Sequence, residues 1–439
     1  MSPGLHTFLT LDLPAILTAG FAAISCALLG NFLLLRRQSL MGDAISHSVL
    51  PGIVGAFLLT GTRDPLVMFA GAAIAGVISA ALVELVRRAA RLDPGAAMGV
   101  VFPVLFALGV LMLERGGARR VDLDADCVLY GELSRIIWSP QRGVDLFSSA
   151  ALHALPRELF SAAAVATIVA AFVALLFKEL RLASFDTALA SSLGFHATGI
   201  NLIMMVLTAA AVVVSFEAVG SILVIAMLIC PPATARLLTD RLSRQIWLSV
   251  LVATLTVVGG YIASIFVPAL WGSSQALSAS GMIATVSGLL LFAAILGSPK
   301  GGVIVSRTRQ LSLAIQVAQE DILAGLYRQE ETPGRQITFP RPNAFVSYLA
   351  LRGLRRSGQL NRGRSPTLTS SGRVHAATVL RSHRLWESFL VREAGLRPDH
   401  VHEPAMVLEH LTHDGQRLAP PSPTPTDPHD RPIPDESKP

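Results

Sequence analysis

The sequence predicts an all-α polytopic membrane protein with about eight or nine transmembrane helices, followed by a mainly α-helical soluble domain. Hydrophobic residues make up 52% of the 439 residues and charged residues only 15%, against about 25% charged residues in soluble domains. Long apolar runs recur through residues 1–298, whereas residues 299–439 are rich in Arg, Asp, Glu and His. The chain therefore divides into a transmembrane domain, residues 1–298, and a soluble extension.

Nine apolar runs are long enough to cross about 30 Å of hydrocarbon. They lie near residues 13–35, 40–60, 65–86, 96–113, 159–177, 198–216, 221–238, 246–268 and 277–297. Only Glu217–Gly220 separates the sixth run from the seventh, so eight spans with one broken helix are an alternative. Arg and Lys cluster at alternate ends of the runs. The positive-inside rule then predicts a multi-pass protein of the cell membrane, with its N-terminus outside and its C-terminus in the cytoplasm.

Asp43 and His47 lie four residues apart within the second predicted span. That spacing places both side chains on one face of a helix. An ionisable side chain costs several kcal/mol at the centre of a bilayer, and for that reason usually has a function there. A carboxylate beside an imidazole suits Mn²⁺, Fe²⁺ or Zn²⁺. The alternative is a polar pair in which each side chain satisfies the other between two packed helices.

A short helix is predicted in the loop after the fifth span, between Asp186 and Phe195. Asp186 suits the start of a helix, where a carboxylate meets the positive end of the dipole. Gly194 suits the closing position, where a left-handed residue is favoured. Such a helix is either a simple connector or a contact for a separate ATPase. The chain itself has no phosphate-binding G-x-x-x-x-G-K-[ST] motif, so it is not expected to be an enzyme.

The extension is predicted to begin with a linker, residues 299–314, and to end in a disordered, Pro-rich tail, residues 414–439. Residues 315–413 are predicted to form a metal-regulator-like domain. Helical stretches lie near 311–330, 343–357, 375–394 and 398–411, with a wing-like segment at 360–369. Residues 332–386 hold ten Arg and no Asp or Glu, which suits phosphates of either lipid or nucleic acid. The stretch before residue 343 is too short for a full helix-turn-helix, so DNA binding is not favoured.

A second group of metal-ligand side chains lies in the extension. His383 and Glu387 are four residues apart. His402, Met406, Glu409 and His410 follow at spacings that place them on one helix face. Imidazoles and carboxylates converging from two helices suit Mn²⁺, Fe²⁺ or Zn²⁺. The alternative is a polar face that is rich in His by chance.

Several segments of the transmembrane domain resemble the permease subunits of bacterial ATP-binding-cassette importers for manganese, zinc and iron. They are Arg36–Gly52, Leu123–Leu133, Phe185–Gly194 and Ala218–Leu238. The resemblance implies that Asp43 and His47 line the metal pathway. It also implies that residues 186–195 form a coupling helix against the ATPase, through Asp186, Ala188, Ala190, Leu193 and Gly194.

The extension resembles the metal-binding and dimerisation region of the diphtheria-toxin-repressor family, in the segments around His383–Glu387 and His402–His410. Asp321 matches the position of an N-terminal ligand in that family. The resemblance implies one site made by His383, Glu387 and His402. It implies a second site from Asp321, Met406, Glu409 and His410. The DNA-reading half resembles a degenerate winged helix, kept as a regulatory or assembly module.

The sequence is therefore interpreted as the permease subunit of an ATP-driven importer of divalent transition metal ions, with a metal-sensing extension. Mn²⁺ is the first choice of cargo, then Fe²⁺ or Zn²⁺, and a metal chelate is a further alternative. No catalytic residue or catalytic cofactor is expected. The expected partners are a cytoplasmic ATPase, an extracytoplasmic metal-binding protein and a second permease subunit. The competing hypothesis is a membrane-anchored, metal-responsive DNA-binding regulator without transport activity.

Overall fold

Helices form nearly all of the regular structure in the part of the chain that the computed structural model describes. It describes residues 7–38, 42, 44, 50–62, 64–115, 133, 136–138, 154–270, 272, 277–332, 343–361, 363, 365–410, 412–413, 416–417, 419–421 and 424–435. The chain divides into two compact units, Met1–Val303 and Ile304–Pro439.

The first unit is a bundle of apolar helices. In chain order these are α1 (Leu13–Leu35), α2 (Leu50–Thr60), α3 (Pro65–Ala89), α4 (Pro94–Arg115), α5 (Arg157–Leu175), α6 (Phe177–Phe185), α7 (Thr187–Ser192), α8 (Ala197–Val219), α9 (Ser221–Leu238), α10 (Leu242–Leu270) and α11 (Ala279–Gly297). Eight helices in the described residues are long and apolar enough to cross a membrane, namely α1, α3, α4, α5, α8, α9, α10 and α11. The all-α polytopic fold class is thus confirmed.

The number of spans rests on two places in the chain. Helices α8 and α9 meet at Gly220, whose φ is +79°, and each has the length of a span by itself. This favours two spans there over one broken span. The second predicted span, residues 40–60, contains an 11-residue helix from Leu50, and most of residues 39–49 lie outside the described part. A ninth span is therefore still a prediction.

Helix α1 forms the centre of the bundle, because it packs against α5, α8, α9 and α10. Its approach to α9 is close. A Cβ added to Gly30 would lie 2.1 Å from the carbonyl oxygen of Leu228, so only glycine fits there. Small residues at such crossings are typical of membrane helices, which gain stability from van der Waals packing rather than from the hydrophobic effect.

A buried polar group also joins α1 to α10. Asn31 donates from Nδ2 to Ser249 Oγ at 2.7 Å, and Gln245 donates from Nε2 to Asn31 Oδ1 at 2.9 Å. All three residues are fully buried. Hydrogen bonds of this kind hold membrane helices in register by about 0.6–2 kcal/mol each, which gives these neutral residues a structural explanation.

The second unit contains α12 (Val303–Glu331), α13 (Ala344–Arg356), α14 (Ser370–Arg392) and α15 (His402–Leu408). Two-residue strands, Thr412–His413 and Gln416–Arg417, pair antiparallel after them. The wing-like segment closes on itself through a bridge between Leu360 and Leu368. The mainly helical class predicted for the extension is confirmed.

Two boundaries differ from the prediction. The predicted linker, residues 299–314, is helical from Val303 onward, because α12 runs without a Gly or Pro through its first 20 residues. The tail also differs, since described residues between 424 and 435 are packed rather than disordered. Arg381 Nη1 donates to the carbonyl oxygen of Pro434 at 2.6 Å, and Asp427 is buried and accepts hydrogen bonds from two backbone amides. Hydrogen bonds from α14, which composition does not reveal, offset the low hydrophobicity of this tail.

Candidate metal centre

The second unit brings six of the predicted ligands together in two groups. The first, here called the imidazole cluster, comprises His383, Glu387 and His402. His383 and Glu387 are one turn apart on α14, and His402 is the first residue of α15. His383 Nε2 lies 3.0 Å from both Glu387 Oε1 and His402 Nδ1, and His402 Nδ1 lies 2.9 Å from Glu387 Oε1. Three ligand atoms therefore face one point.

The second group, here called the carboxylate cluster, comprises Asp321, Glu409 and His410. Asp321 lies on α12, while Glu409 and His410 directly follow α15. His410 Nε2 lies 3.3 Å from Asp321 Oδ1 and 3.7 Å from Glu409 Oε1. The cluster is oxygen-rich, with one imidazole.

The two clusters share Glu409. Its Oε2 lies 2.5 Å from Nδ1 of His383, within ion-pair distance, while its Oε1 faces His410 in the carboxylate cluster. With Nδ1 of His383 engaged by a carboxylate, Nε2 is the nitrogen left for the imidazole cluster. Carboxylates that hold a ligating imidazole in this way fix its tautomer and raise its basicity. Glu409 is thus a positioning residue for one cluster and a candidate ligand in the other.

Glu320 is a functional candidate that sequence reasoning missed. It is buried, and its Oε2 lies 2.6 Å from Nδ1 of His410, on the opposite side of the ring from Asp321. The contact leaves Nε2 of His410 facing the carboxylate cluster. A signal for it exists in the sequence. Glu320 and Asp321 form an acidic pair on a helical turn flanked by the buried residues Ala318 and Leu323.

Charge in both clusters favours a cation. Burial disfavours a charge on His383, but hydrogen bonds and charges from Glu387 and Glu409 outweigh it and raise the pKa of the imidazole. Burial likewise works against a charge on His410, yet Asp321 and Glu320 raise its pKa to about 9. The pKa of Glu387 is lowered despite its burial, because His383 and His402 stabilise the carboxylate. In both clusters the surrounding carboxylates therefore stabilise positive charge.

The residues present fit a divalent metal ion. Glu387 Oε2 is buried and has no hydrogen-bond partner among the described residues, so it offers a ready acceptor for a cation. His402 is 49% exposed, which leaves the imidazole cluster open on one side. Imidazoles with carboxylates suit Mn²⁺, Fe²⁺ and Zn²⁺. Met406, the remaining predicted ligand, is half-buried on α15, one turn before Glu409 and His410.

The predicted transport residues fall into two groups, the intramembrane pair and the loop helix, and the structure describes only the second. Asp43 and His47 lie outside the described residues. The predicted loop helix is present as α7. Asp186 caps it, because its Oδ1 accepts hydrogen bonds from the amides of Ala188 and Leu189 at 3.0 and 2.9 Å.

Helix α7 ends as the sequence predicts. Gly194 has φ +84°, and the amide of Phe195 donates to the carbonyl oxygen of Ala190 at 3.0 Å. Ala190 is buried against Ala183 of α6, while Leu189 and Leu193 are exposed. The loop thus holds a rigid short helix that presents apolar side chains.

A bundle of membrane-length helices, joined to a helical unit with two groups of metal-ligand side chains, defines a multi-pass membrane protein with a helical C-terminal extension. A model of the ABC 3 transport family matches residues 9–139 and 146–298, and a model of the iron dependent repressor metal binding and dimerisation domain matches residues 369–435. The chain belongs to the ABC 3 transport family and carries a repressor-like extension at its C-terminus.

Curated relatives and solved structures agree with this assignment. The chain is 40% identical over 300 residues to the manganese transport system membrane protein MntD of Bacillus subtilis, covering 68% of this chain and 96% of the relative. It is 38% identical over 309 residues to the zinc transport system membrane protein TroD of Treponema pallidum, covering 70% and 80%. The structure of PsaBC from Streptococcus pneumoniae in complex with Fab aligns with a TM-score of 0.53 at 25% identity, over 69% of this chain and 98% of that chain.

Proposed function

We propose that the chain is the permease subunit of an ATP-driven importer of divalent transition metal ions, with Mn²⁺ as the first choice and Fe²⁺ or Zn²⁺ next. The observation that carries this proposal is the 40% identity to a manganese transport membrane protein over nearly the whole length of that relative. The zinc transport relative keeps Zn²⁺ among the choices. The cargo is a substrate that passes through the bundle.

Asp43 and His47 are proposed to bind the ion briefly on its way through the membrane. A carboxylate and an imidazole on one helix face offer the O and N ligands that such ions accept. The metal would be delivered by an extracytoplasmic binding protein. The orientation that we propose, with the N-terminus outside and the extension in the cytoplasm, rests on the distribution of Arg and Lys.

Helix α7 is the proposed contact for the ATPase. Its capped start at Asp186 and its turn at Gly194 keep it rigid, and Leu189 and Leu193 present apolar surface that suits a groove in a partner. A rigid helix transmits movement of the ATPase to the bundle better than a flexible loop would. The proposed assembly has two permease subunits, identical or different, and an ATPase pair.

The extension is proposed to sense metal on its own side of the membrane and to slow import when metal is abundant. Asp321, Glu409 and His410 would hold an ion in the carboxylate cluster, with Met406 alongside. His383, Glu387 and His402 would hold one in the imidazole cluster. A bound cation neutralises buried carboxylates that otherwise repel one another, so it stabilises one arrangement of α12, α14 and α15.

Uptake of radiolabelled Mn²⁺ and Zn²⁺ tests the transport proposal, in cells that express the chain with its ATPase and binding protein. Asp43→Ala and His47→Ala are expected to reduce uptake to the level of cells that lack the chain, at normal membrane levels. Asp64→Ala, in the exposed loop before α3, is the matched control and should transport normally. Unchanged uptake in both Asp43→Ala and His47→Ala would contradict the pathway assignment.

Metal preloading tests the sensing proposal in the same cells. Wild-type cells preloaded with Mn²⁺ should take up less labelled metal than starved cells. Deletion of residues 315–439, or His383→Ala, should keep basal uptake and remove this inhibition. His400→Ala, in the exposed turn before α15, is the control that should remain sensitive. Equal inhibition in all variants would rule out feedback through the extension.

A further inference from the structure

Helix α13 has one buried face and one face that nothing covers in the described part of the chain. Ala350 and Leu354 are buried, with Leu354 in a small core formed with α12 and α14. The opposite face, here called the aromatic–arginine face, is exposed along the whole helix. It comprises Phe345, Tyr348, Arg352, Arg355 and Arg356. Their spacing of three, four, three and one residues places all five side chains within one sector of the helix.

The exposure of its aromatic side chains sets this face apart. Phe345 is 59% exposed and Tyr348 is 60% exposed, although aromatic rings are usually buried in a soluble domain. Both belong to the first turns of α13, and the arginines follow toward its end. A face that joins apolar rings to cations is suited to the boundary between water and hydrocarbon, where Trp and Tyr are enriched.

The positive charge on this face has no internal counter-ion in the described residues. Arg373 pairs with Glu330, and Arg384 pairs with Glu331, so those two arginines serve the fold. No described carboxylate pairs with Arg352, Arg355 or Arg356. Because residues 332–386 contain no acidic side chain, the charge is not offset locally. An anionic partner would neutralise this positive charge.

The second unit is covalently joined to a bundle of membrane-length helices. Helix α11, the last helix of span length, ends at Gly297, and α12 begins at Val303, so five residues join the bundle to the second unit. A covalent link to the bundle raises the local concentration of lipid headgroups for the second unit above that for a free domain. Weak individual contacts with lipid therefore suffice for binding.

We propose that the aromatic–arginine face binds anionic phospholipid headgroups, in the leaflet on the side where the chain leaves α11. The guanidinium groups would contact headgroup phosphates, with Phe345 and Tyr348 at the level of the acyl-chain boundary. This assignment goes beyond the proposed transport function and does not depend on which metal is carried. Two features favour lipid over DNA. The rings occupy positions where a DNA-reading helix needs polar side chains, and only 12 residues separate α12 from α13, too few for a full helix-turn-helix.

Arginine footprinting of the purified full-length chain tests the proposal without any substitution. The chain is placed in nanodiscs of phosphatidylcholine alone, or of phosphatidylcholine with phosphatidylglycerol, and treated with phenylglyoxal, and modified arginines are identified by mass spectrometry. Phosphatidylglycerol is expected to slow modification of Arg352, Arg355 and Arg356 by about fivefold, which is the fold-change that about 1 kcal/mol per arginine at an anionic surface converts to. The exposed Arg397 is the internal control and should react equally in both discs.

Three further arms give the proposal its specificity. The protection should disappear at high salt, because screening weakens contacts with surface charges. Phe345→Ser with Tyr348→Ser should reduce it, and both positions are exposed, so the fold is retained. Free glycerol phosphate added to phosphatidylcholine discs should give no protection.

Equal modification of the three arginines in both kinds of disc would overturn the proposal. Protection by duplex DNA but not by phosphatidylglycerol would assign the face to nucleic acid instead. Metal uptake is read separately, so failure here leaves the transport proposal intact.

Discussion

The imidazole cluster and the carboxylate cluster are built from neighbouring helices but differ in chemistry. The first has two imidazoles and one carboxylate, and its His402 is half exposed. The second has two carboxylates and one imidazole, and reaches across to Asp321 on α12. Nitrogen-rich sites suit Zn²⁺ and Fe²⁺, whereas oxygen-rich sites suit Mn²⁺. The two clusters therefore differ in the ions that their ligand atoms suit, although they share Glu409.

Glu409 is the residue whose loss should affect both clusters and so has the largest expected effect. Glu409→Gln removes a candidate ligand from the carboxylate cluster and the partner of His383 Nδ1 from the imidazole cluster. We expect Mn²⁺ affinity to fall by about 100-fold at the carboxylate cluster and by about tenfold at the imidazole cluster. Isothermal calorimetry on the purified full-length chain measures both, in an Asp43→Ala background so that the extension alone is titrated.

Glu403→Gln serves as the control for this substitution, because Glu403 is exposed on α15, the helix that Glu409 directly follows. It should bind Mn²⁺ as wild type does. If Glu409→Gln lowered the affinity of one cluster only, Glu409 would not link the two clusters, and they would be independent sites.

Glu320→Gln should separate the clusters. Glu320 contacts Nδ1 of His410, which belongs to the carboxylate cluster. We expect a 10- to 100-fold loss of Mn²⁺ affinity at the carboxylate cluster, about the effect of removing an outer-shell carboxylate. Titration in a His402→Ala background isolates that cluster, and Asp399→Asn, at an exposed position, is the matched control. An unchanged affinity would mean that His410 is oriented without Glu320.

The Mn²⁺ affinity of the carboxylate cluster should also depend on pH, with a smaller effect than that of the substitutions above. The pKa of His410 is raised to about 9, so below that pH a proton competes with metal for Nε2. Affinity of the carboxylate cluster should rise by up to about tenfold per pH unit toward pH 9 and level off above it. The same raised pKa stabilises the metal-free fold fully below about pH 6.5, and this contribution is lost as the pH rises through about 9. Calorimetry across this pH range measures the Mn²⁺ affinity of wild type and of His410→Gln. A wild-type affinity that did not change with pH would contradict the assignment of His410 as a ligand.

Sequence reasoning predicted the helices and named the six side chains that the structure groups in the two clusters, together with Met406, which is not one of the grouped residues. It did not predict the contacts between the clusters. Spacing along α14 places His383 and Glu387 on one face, and apolar runs of sufficient length identify the spans. The contact of Glu409 with His383 could not be predicted, because it depends on how α15 packs on α14. Glu320 was overlooked since its neighbour Asp321 already filled the expected role. The packing of the tail could not be predicted from composition, because it depends on contacts with Arg381 and Arg384 of α14.

Helix α12 carries Asp321 of the carboxylate cluster on a long uninterrupted helix. Its backbone hydrogen bonding is continuous from Val303 to Glu331. With no Gly or Pro before Glu320, it has no hinge over the first 17 residues, a length of about 26 Å at 1.5 Å per residue. Any rotation of Asp321 about the helix axis must therefore turn the whole rod. The ligand geometry at Asp321 is therefore coupled to the orientation of the first turn of α12, about 26 Å away along the same helix.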